Sequence, residues 1–532
     1  MNKVVNYNIN KKIILFLLVS YSIICSLIIG NSWDINPHLQ QGKSTFNYLL
    51  SFGKINNDTY VNLREFNSPS YWTIVYFITQ FFPKSIELEI FKLINLIISW
   101  LSLIGFYKLG KILYNKHLGY IFLLNLYFYP IFFGHTAINP KDTILLFCHI
   151  WIVYLGTFYL KKQNINYDLK KTLYKVGILI AIGSGIQLYF IASLFPFFIF
   201  IFLEIFFFKK FINNNFNILK FFKDLFIIFF IFYFIFIFFW IDAHDNILIK
   251  PIELFRESFD AQRGWPLNIV NGKIFYTKET PFYYIFITLL NKSPEYILYL
   301  YIFFIIFFYK IDNFFTKKNI NFKYLLIFFI FLISYPNLIL LFNPFGVYDG
   351  IRLFLWVIPY LLIIPSLTLY YLIKNFDQVI NKVNFIITVF MMLYYLFIFL
   401  AYTPYQYTYL NFLTSTPQEK ETKFENDYWG VSIKELFKKI KIEFKINENE
   451  KIKVFLCGVP GFTIKKHIKK NNLYFLDIVE FKDADYIISN NKTYIKDLKN
   501  PKLELCNNYV DKKIISVERL NHSLSIFGKL KK

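Results

Sequence analysis

Carboxylates and cations gather where long apolar runs end. Asp34 and His38 lie in Trp33-Asp34-Ile35-Asn36-Pro37-His38, a few residues past the first apolar run. His135, Lys141 and Asp142 lie in Gly134-His135-Thr136-Ala137-Ile138-Asn139-Pro140-Lys141-Asp142, a short polar loop between two more runs. Asp349 and Arg352 lie in Tyr348-Asp349-Gly350-Ile351-Arg352, where another run begins. A positioned aspartate can take a proton from a hydroxyl. Arginine and lysine can hold a departing phosphate, and arginine can fork onto two of its oxygens. A base, cations and a site at the membrane surface together fit sugar transfer from a polyprenyl phosphate, whose lipid tail stays in the bilayer. Asp34 is the expected base, and His38, His135, Lys141, Asp142, Asp349 and Arg352 are the expected substrate-binding groups.

Each group also has a plainer reading. Asp34 could cap the helix that follows it. Asn139-Pro140-Lys141-Asp142 could be a turn with a helix start, where proline and an early acid both fit. Asp349 and Arg352, at i and i+3, could form an intrahelical ion pair. His38 and His244 are more often loop residues than ligands. A further cluster, His244 to Pro281, carries Arg256, Arg263, Trp265 and Pro266. The case for chemistry rests on joint placement. No dense cluster of Asp, Glu, His or Cys suggests a metal, so divalent-metal dependence gains no support.

The elements that must position these groups are membrane helices. Of 532 residues, 56% are hydrophobic and 22% aromatic, which points to a membrane chain. Roughly eleven spans, each near the ~20 residues a bilayer needs, fall at 12–30, 86–108, 117–133, 143–160, 174–190, 192–208, 223–241, 293–309, 323–342, 352–373 and 385–403. The first has Lys11-Lys12 ahead of it and no small-residue cleavage site, so it reads as an uncleaved helix. The stretch 174–208 splits near Ile191; read as one span, it would invert every later loop.

Lysines cluster in alternate loops: Lys108/Lys111/Lys116, Lys161-Lys162, Lys170-Lys171, Lys209-Lys210, Lys317-Lys318 and Lys374/Lys382. By the positive-inside rule that side, with the N-terminus, is cytoplasmic. This placement explains part of the formal charge of +23 and leaves little reason to invoke nucleic acid. The outer side receives 31–85, 134–142, 242–292, 343–351 and everything after 403. Within 31–85, Phe46/Leu49/Leu50 and Tyr71 to Phe82 suggest two amphipathic helices at the interface or packed on the bundle.

The predicted fold is therefore an all-α polytopic membrane bundle, 1–403, with a small extracytoplasmic α/β domain, 404–532. In the latter, β-like runs at 453–457, 473–479, 486–489, 514–517 and 524–527 follow a helix-like stretch, 432–444. Cys25 and Cys148 fall in spans. Cys457 and Cys506 fall in the tail, where they could pair in an oxidising compartment or stay free.

The Gly134–Asp142 loop, Tyr348-Asp349-Gly350-Ile351-Arg352, Pro404-Tyr405-Gln406-Tyr407 and Asp427-Tyr428-Trp429-Gly430 together resemble bacterial GT-C membrane glycosyltransferases. These are related to the family-39 protein O-mannosyltransferases and the lipid A aminoarabinose transferases. The resemblance implies a multi-pass plasma-membrane enzyme with a polyprenyl-phosphate sugar donor and a glycolipid, lipopolysaccharide or protein acceptor outside the cytoplasm. It implies Asp34 as base, His135, Lys141 and Asp142 on the donor side, and Arg352 facing the phosphate. Where that family often has Asp-Glu, this chain has Asp34-Ile35. Asp427-Tyr428-Trp429-Gly430 is expected to be a structural corner. A transporter or flippase for lipid-linked saccharides is the alternative, and would need polar groups near the midplane. Span interiors here are almost uncharged, Gln187 and Glu204 being the main polar exceptions. A polysaccharide polymerase or ligase shares the same lipid-phosphate chemistry.

Overall fold

The computed structural model describes the chain apart from residues 1–6, 55–66, 164–168, 259–266, 318–320, 343–345, 414–415, 417–418, 445–450 and 496–502. Arg263, Trp265 and Pro266 therefore lie outside the described residues.

Among the described residues, six helices are long and apolar enough to cross a membrane: Lys84–Leu113, Asp142–Lys162, Ile218–Phe239, Phe322–Phe342, Arg352–Lys374 and Val379–Ala401. A seventh span arises if Tyr284–Lys292 and Glu295–Ile306, bent by 111°, count as one. The other expected spans are shorter or broken. Lys116–Tyr127 gives way at Tyr129 to Pro130–His135, because the residue before a proline is pushed to extended backbone. Pro294 breaks the bent pair in the same way. The stretch 174–208 splits as expected, into Lys170–Ile186, Phe190–Ser193 and Phe195–Leu203. Lys12–Ile28 is the shorter apolar helix at the start.

Outward faces identify the solvent. Along Ile218–Phe239, Phe222, Phe226, Phe230, Phe234 and Phe238 form an exposed ridge at i, i+4 spacing. A patch of that size suits lipid and not water. Asp142–Lys162 and Arg352–Lys374 are the central helices, with 72% and 83% of their apolar windows buried. They begin at Asp142 and Arg352, so two expected site residues start the two innermost spans. At the far ends of these spans the Lys-rich loops meet: Lys161 Nζ donates to Ile112 O at 2.8 Å, Asn115 Nδ2 to Tyr370 Oη at 3.0 Å and Gln163 Nε2 to Asn217 O at 3.1 Å. Two helices, Ile35–Leu50 and Ser70–Thr79, pack on each other at the site end, matching the two expected amphipathic stretches.

The tail holds a mixed five-stranded sheet, in the order Leu476–Ile478, Ile452–Cys457, Tyr486–Asn490, His522–Leu530, Val510–Arg519. The first three strands are parallel, and helix Gly461–Asn471 makes the crossover that parallel strands require. Ile433, Leu436, Phe437 and Ile440 form the buried stripe of helix Ile433–Glu443, which packs on the sheet. The Gly461–Asn471 helix and the strand pair Thr493–Ile495/Leu503–Leu505 were not expected from the sequence. Cys457 and Cys506 are disulfide-bonded, with Cα atoms 5.5 Å apart, and Cys25 and Cys148 are buried free thiols.

Glycines permit close docking of tail on bundle. A Cβ at Gly30 would stand 2.2 Å from Val431 O, and one at Gly134 would stand 2.4 Å from Tyr407 N. Tyr407 belongs to the Pro404-Tyr405-Gln406-Tyr407 segment, and Val431 directly follows Asp427-Tyr428-Trp429-Gly430.

Candidate functional site

The loop 136–140 is held through its carbonyls. Ser99 Oγ donates to Thr136 O at 3.0 Å, Asn95 Nδ2 to Ala137 O at 3.3 Å, Ser32 Oγ to Ile138 O at 2.7 Å and Trp72 Nε1 to Pro140 O at 2.9 Å. Buried backbone groups need such partners, and here they come from three separate elements. Asn139 then starts the next helix: its Oδ1 accepts from Lys141 N at 3.1 Å and Asp142 N at 2.8 Å, and its Nδ2 donates to Asp142 Oδ2 at 3.0 Å. The turn-and-helix-start reading of Asn139 to Asp142 therefore describes the geometry.

Asp34 behaves differently. It stands at the N-cap of Ile35–Leu50 but makes no side-chain capping bond. Its Oδ2 instead accepts from Arg352 Nη1 at 2.9 Å and Trp429 Nε1 at 3.2 Å. No donor among the described residues reaches Oδ1, and the side chain is 27% exposed. Burial by itself would raise the Asp34 carboxyl. The Arg352 guanidinium, aided by His38 and Lys141, outweighs this and holds it below the ordinary range.

Arg352 joins two carboxylates. Its Nη2 pairs with Asp349 Oδ2 at 2.9 Å, and its guanidinium lies over the Tyr348 and Trp429 rings, 5.0 Å from each centroid. Asp349 is not in a helix. Its φ is +56° and that of Gly350 is +65°, a left-handed pair that turns the chain just before Arg352. The expected ion pair at i, i+3 is present, built on a turn. Each Nη gives one of its two hydrogens to a carboxylate, and Nε has no partner among the described residues, so the guanidinium keeps donors for an incoming anion.

The remaining expected residues lie around this centre. Lys141 is near enough to act electrostatically on Asp34 and His38. His38 stacks on Trp72 at 4.0 Å, and burial lowers it to about 4, so it is neutral at pH 7. His135 Nε2 is bonded to Tyr428 Oη at 2.6 Å, and its ring is 5.0 Å from Trp429; burial lowers it well below the usual histidine range. Neither imidazole supplies a positive charge at neutral pH. His244 lies apart, between Tyr48 Oη at 3.3 Å and Ile237 O at 2.9 Å.

The tail contributes groups that sequence reasoning missed. Asp427 is a structural corner as expected: it accepts from Val431 N at 3.0 Å and Ser432 N at 2.9 Å, and from the Tyr407 and Ser432 hydroxyls. Yet the next two residues reach Asp34 and His135. Lys492 Nζ pairs with Asp349 Oδ1 at 3.1 Å and lies 5.0 Å from the Trp33 ring centroid. Glu425 sits beside Asp349 and Lys492, and burial, with the Asp349 charge, raises its carboxyl to about 8. Only the DYWG letters could have signalled the tail's part. Lys492 is one lysine among many in a Lys-rich tail. Among the described residues, no three His, Cys, Asp or Glu side chains are placed to hold a metal.

No family model and no curated protein matches the chain. Among solved structures it is similar to ArnT from Cupriavidus metallidurans in the apo state, with a TM-score of 0.47 and 9% identity over 97% of this chain and 98% of that one. It is similar to the same protein bound to undecaprenyl phosphate, with a TM-score of 0.45 and 9% identity over 96% and 97%. A third is the oligosaccharyltransferase AglB from Archaeoglobus fulgidus with an inhibitory peptide and a dolichol-phosphate, with a TM-score of 0.38 and 10% identity over 89% of this chain and 69% of that one.

Proposed function

We propose that this chain is a membrane glycosyltransferase that moves a sugar from a polyprenyl-phosphate donor to a hydroxyl acceptor outside the cytoplasm. One observation carries the reading: at the shared end of the central helices, one Asp34 oxygen is clamped by Arg352 and Trp429 while the other carries no bond from the described residues. An ionised, oriented carboxylate with one open oxygen suits a general base. Asp34 Oδ1 takes the acceptor proton, the acceptor oxygen bonds to the anomeric carbon, and the bond from that carbon to the phosphate oxygen breaks. The polyprenyl phosphate leaves with the electron pair, and the anomeric centre inverts. Lys141, which acts electrostatically on Asp34, and the unused donors of Arg352 are the nearby cationic groups suited to the departing phosphate.

The tail's disulfide supports its placement on the oxidising side, opposite the Lys-rich loops. On this reading the N-terminus is cytoplasmic and the site lies at the outer leaflet, with roughly eleven crossings if the short and broken helices each count. The test is a cell-free assay with labelled polyprenyl-phosphate hexoses, followed by mass spectrometry of the products. Transfer by the wild type is expected. Flux of a lipid-linked saccharide across vesicles with no bond to an acceptor would replace the reading with a transporter.

A further inference from the structure

Arg352 must satisfy two demands at once. It must keep its Nη1 on Asp34, and it must stay in place when substrate charge arrives nearby. Its anchor is Asp349, 2% exposed, which takes Nη2 at 2.9 Å. Asp349 stands on a left-handed turn of only a few residues, so its own backbone is a weak brace. The far side of that carboxylate is closed by the tail. Lys492, 1% exposed, pairs with Asp349 Oδ1 at 3.1 Å, and its ammonium is 5.0 Å from the Trp33 ring centroid, one residue before Asp34. Glu425, 2% exposed, faces the same pair and receives Thr493 Oγ1 at 3.3 Å.

The charges around Asp349 explain the place of Lys492. Lys141 acts on Asp34 and Asp142 on Arg352, but the buried Asp349 carboxylate is met directly by Arg352 on one oxygen and Lys492 on the other. Lys492 supplies the second cation at Asp349, with Glu425 held as the neutral acid and so able to direct a proton toward Asp349. The tail backbone that carries Lys492 is fixed to the same corner: Asn490 Nδ2 donates to Asp427 O at 3.0 Å, and Cys506 N donates to Lys492 O at 2.9 Å beside the disulfide.

We propose that the C-terminal domain completes the active site through Lys492, a positioning residue that holds Asp349 so that Arg352 stays clamped on Asp34. The tail is then part of the catalytic unit, and the order of action runs Lys492, Asp349, Arg352, Asp34. The proposal rests on the transferase reading for its kinetic arm only.

The test uses the full-length protein in nanodiscs, as wild type, Lys492→Met and Lys492→Arg. The first readout needs no substrate: carbodiimide labelling of Asp34 against pH, followed by mass spectrometry. Lys492→Met is expected to move the labelling midpoint of Asp34 upward, because Arg352 is no longer held, and Lys492→Arg is expected to restore it. The second readout is transfer: Lys492→Met lowers kcat by ~10-fold or more, the equivalent of about one unit of lost charge stabilisation, with donor KM little changed, and Lys492→Arg recovers most of it. An unshifted Asp34 midpoint in a folded Lys492→Met protein overturns the proposal. If Lys492→Met fails to fold, Lys492→Arg decides: a folded arginine variant with wild-type midpoint and kcat supports it, and one with a displaced midpoint overturns it. A shifted midpoint in a protein that transfers no sugar keeps the positioning role and removes the transferase reading.

Discussion

Asp34 and Asp142 begin neighbouring helices at the same end of the molecule, yet their surroundings differ in kind. Asp142 is 1% exposed: Asn139 three residues earlier binds its Oδ2, and its Oδ1 has no partner among the described residues but is shut away from solvent. Asp34 is 27% exposed, makes no capping bond, and is held by residues 318 and 395 positions away. A carboxylate used locally stabilises a helix start. A carboxylate held from afar, with one oxygen open, is arranged for something outside the chain. The contrast teaches that chemistry at a helix N-terminus is recognised by whether the side chain leaves its own turn.

The contrast can be broken in several ways. The largest effect is expected from Arg352→Lys. A lysine lacks the planar fork that spans Asp34 and Asp349, so transfer should fall by ~10²-fold or more, with the acid limb of the pH–rate profile moving upward. An unchanged acid limb would show that Arg352 does not set the ionisation of Asp34. Next is Gly30→Val. Its Cβ would meet Val431 O at 2.2 Å, so the tail must shift from the bundle, and thermal unfolding should show a loss of at least ~1–3 kcal/mol together with most of the transfer. Retained stability and transfer would mean the tail is not seated as described.

Asp142→Asn sharpens the comparison. Asparagine can still meet Asn139, so transfer should drop less than ~10-fold, well short of the loss of a general base. A loss as deep as that of an Asp34 variant would erase the distinction between the two aspartates.

The smallest effect is on stability. Glu425 is an acid whose folded value, about 8, stands above its ordinary 4.5. Between those values the folded state holds a proton that the unfolded state has released, so stability falls as pH rises across that window. Denaturant titrations from pH 4.5 to 8 should show this decline in the wild type, and a flatter profile in Glu425→Gln. Equal slopes would place an ionised Glu425 in the core.

Much of this was legible in the sequence, for identifiable reasons. Asp34, Lys141, Asp349 and Arg352 stood where apolar runs stop, and runs of that length have one physical explanation in lipid. The tail's strands and its leading helix followed from apolar spacing. The count of clean spans was harder to read, because Pro130 and Pro294 break helices whose composition alone looks continuous. The hairpin Leu267–Val270/Lys273–Tyr276 turns on Asn271-Gly272, both at positive φ, a turn signal present in the sequence inside the His244 to Pro281 cluster. Lys492 and Glu425 could not be singled out. Their role depends on Gly30 and Gly134 letting the tail close on the bundle, and no local pattern encodes that approach.

The most direct measurement is transfer of labelled sugar by Asp34→Asn, with circular dichroism and thermal unfolding as the check on folding. Asparagine keeps the shape and can accept from Arg352, but cannot take a proton. The account predicts a folded protein whose transfer falls by ~10²–10⁴-fold. A folded Asp34→Asn protein that transfers at the wild-type rate would contradict it.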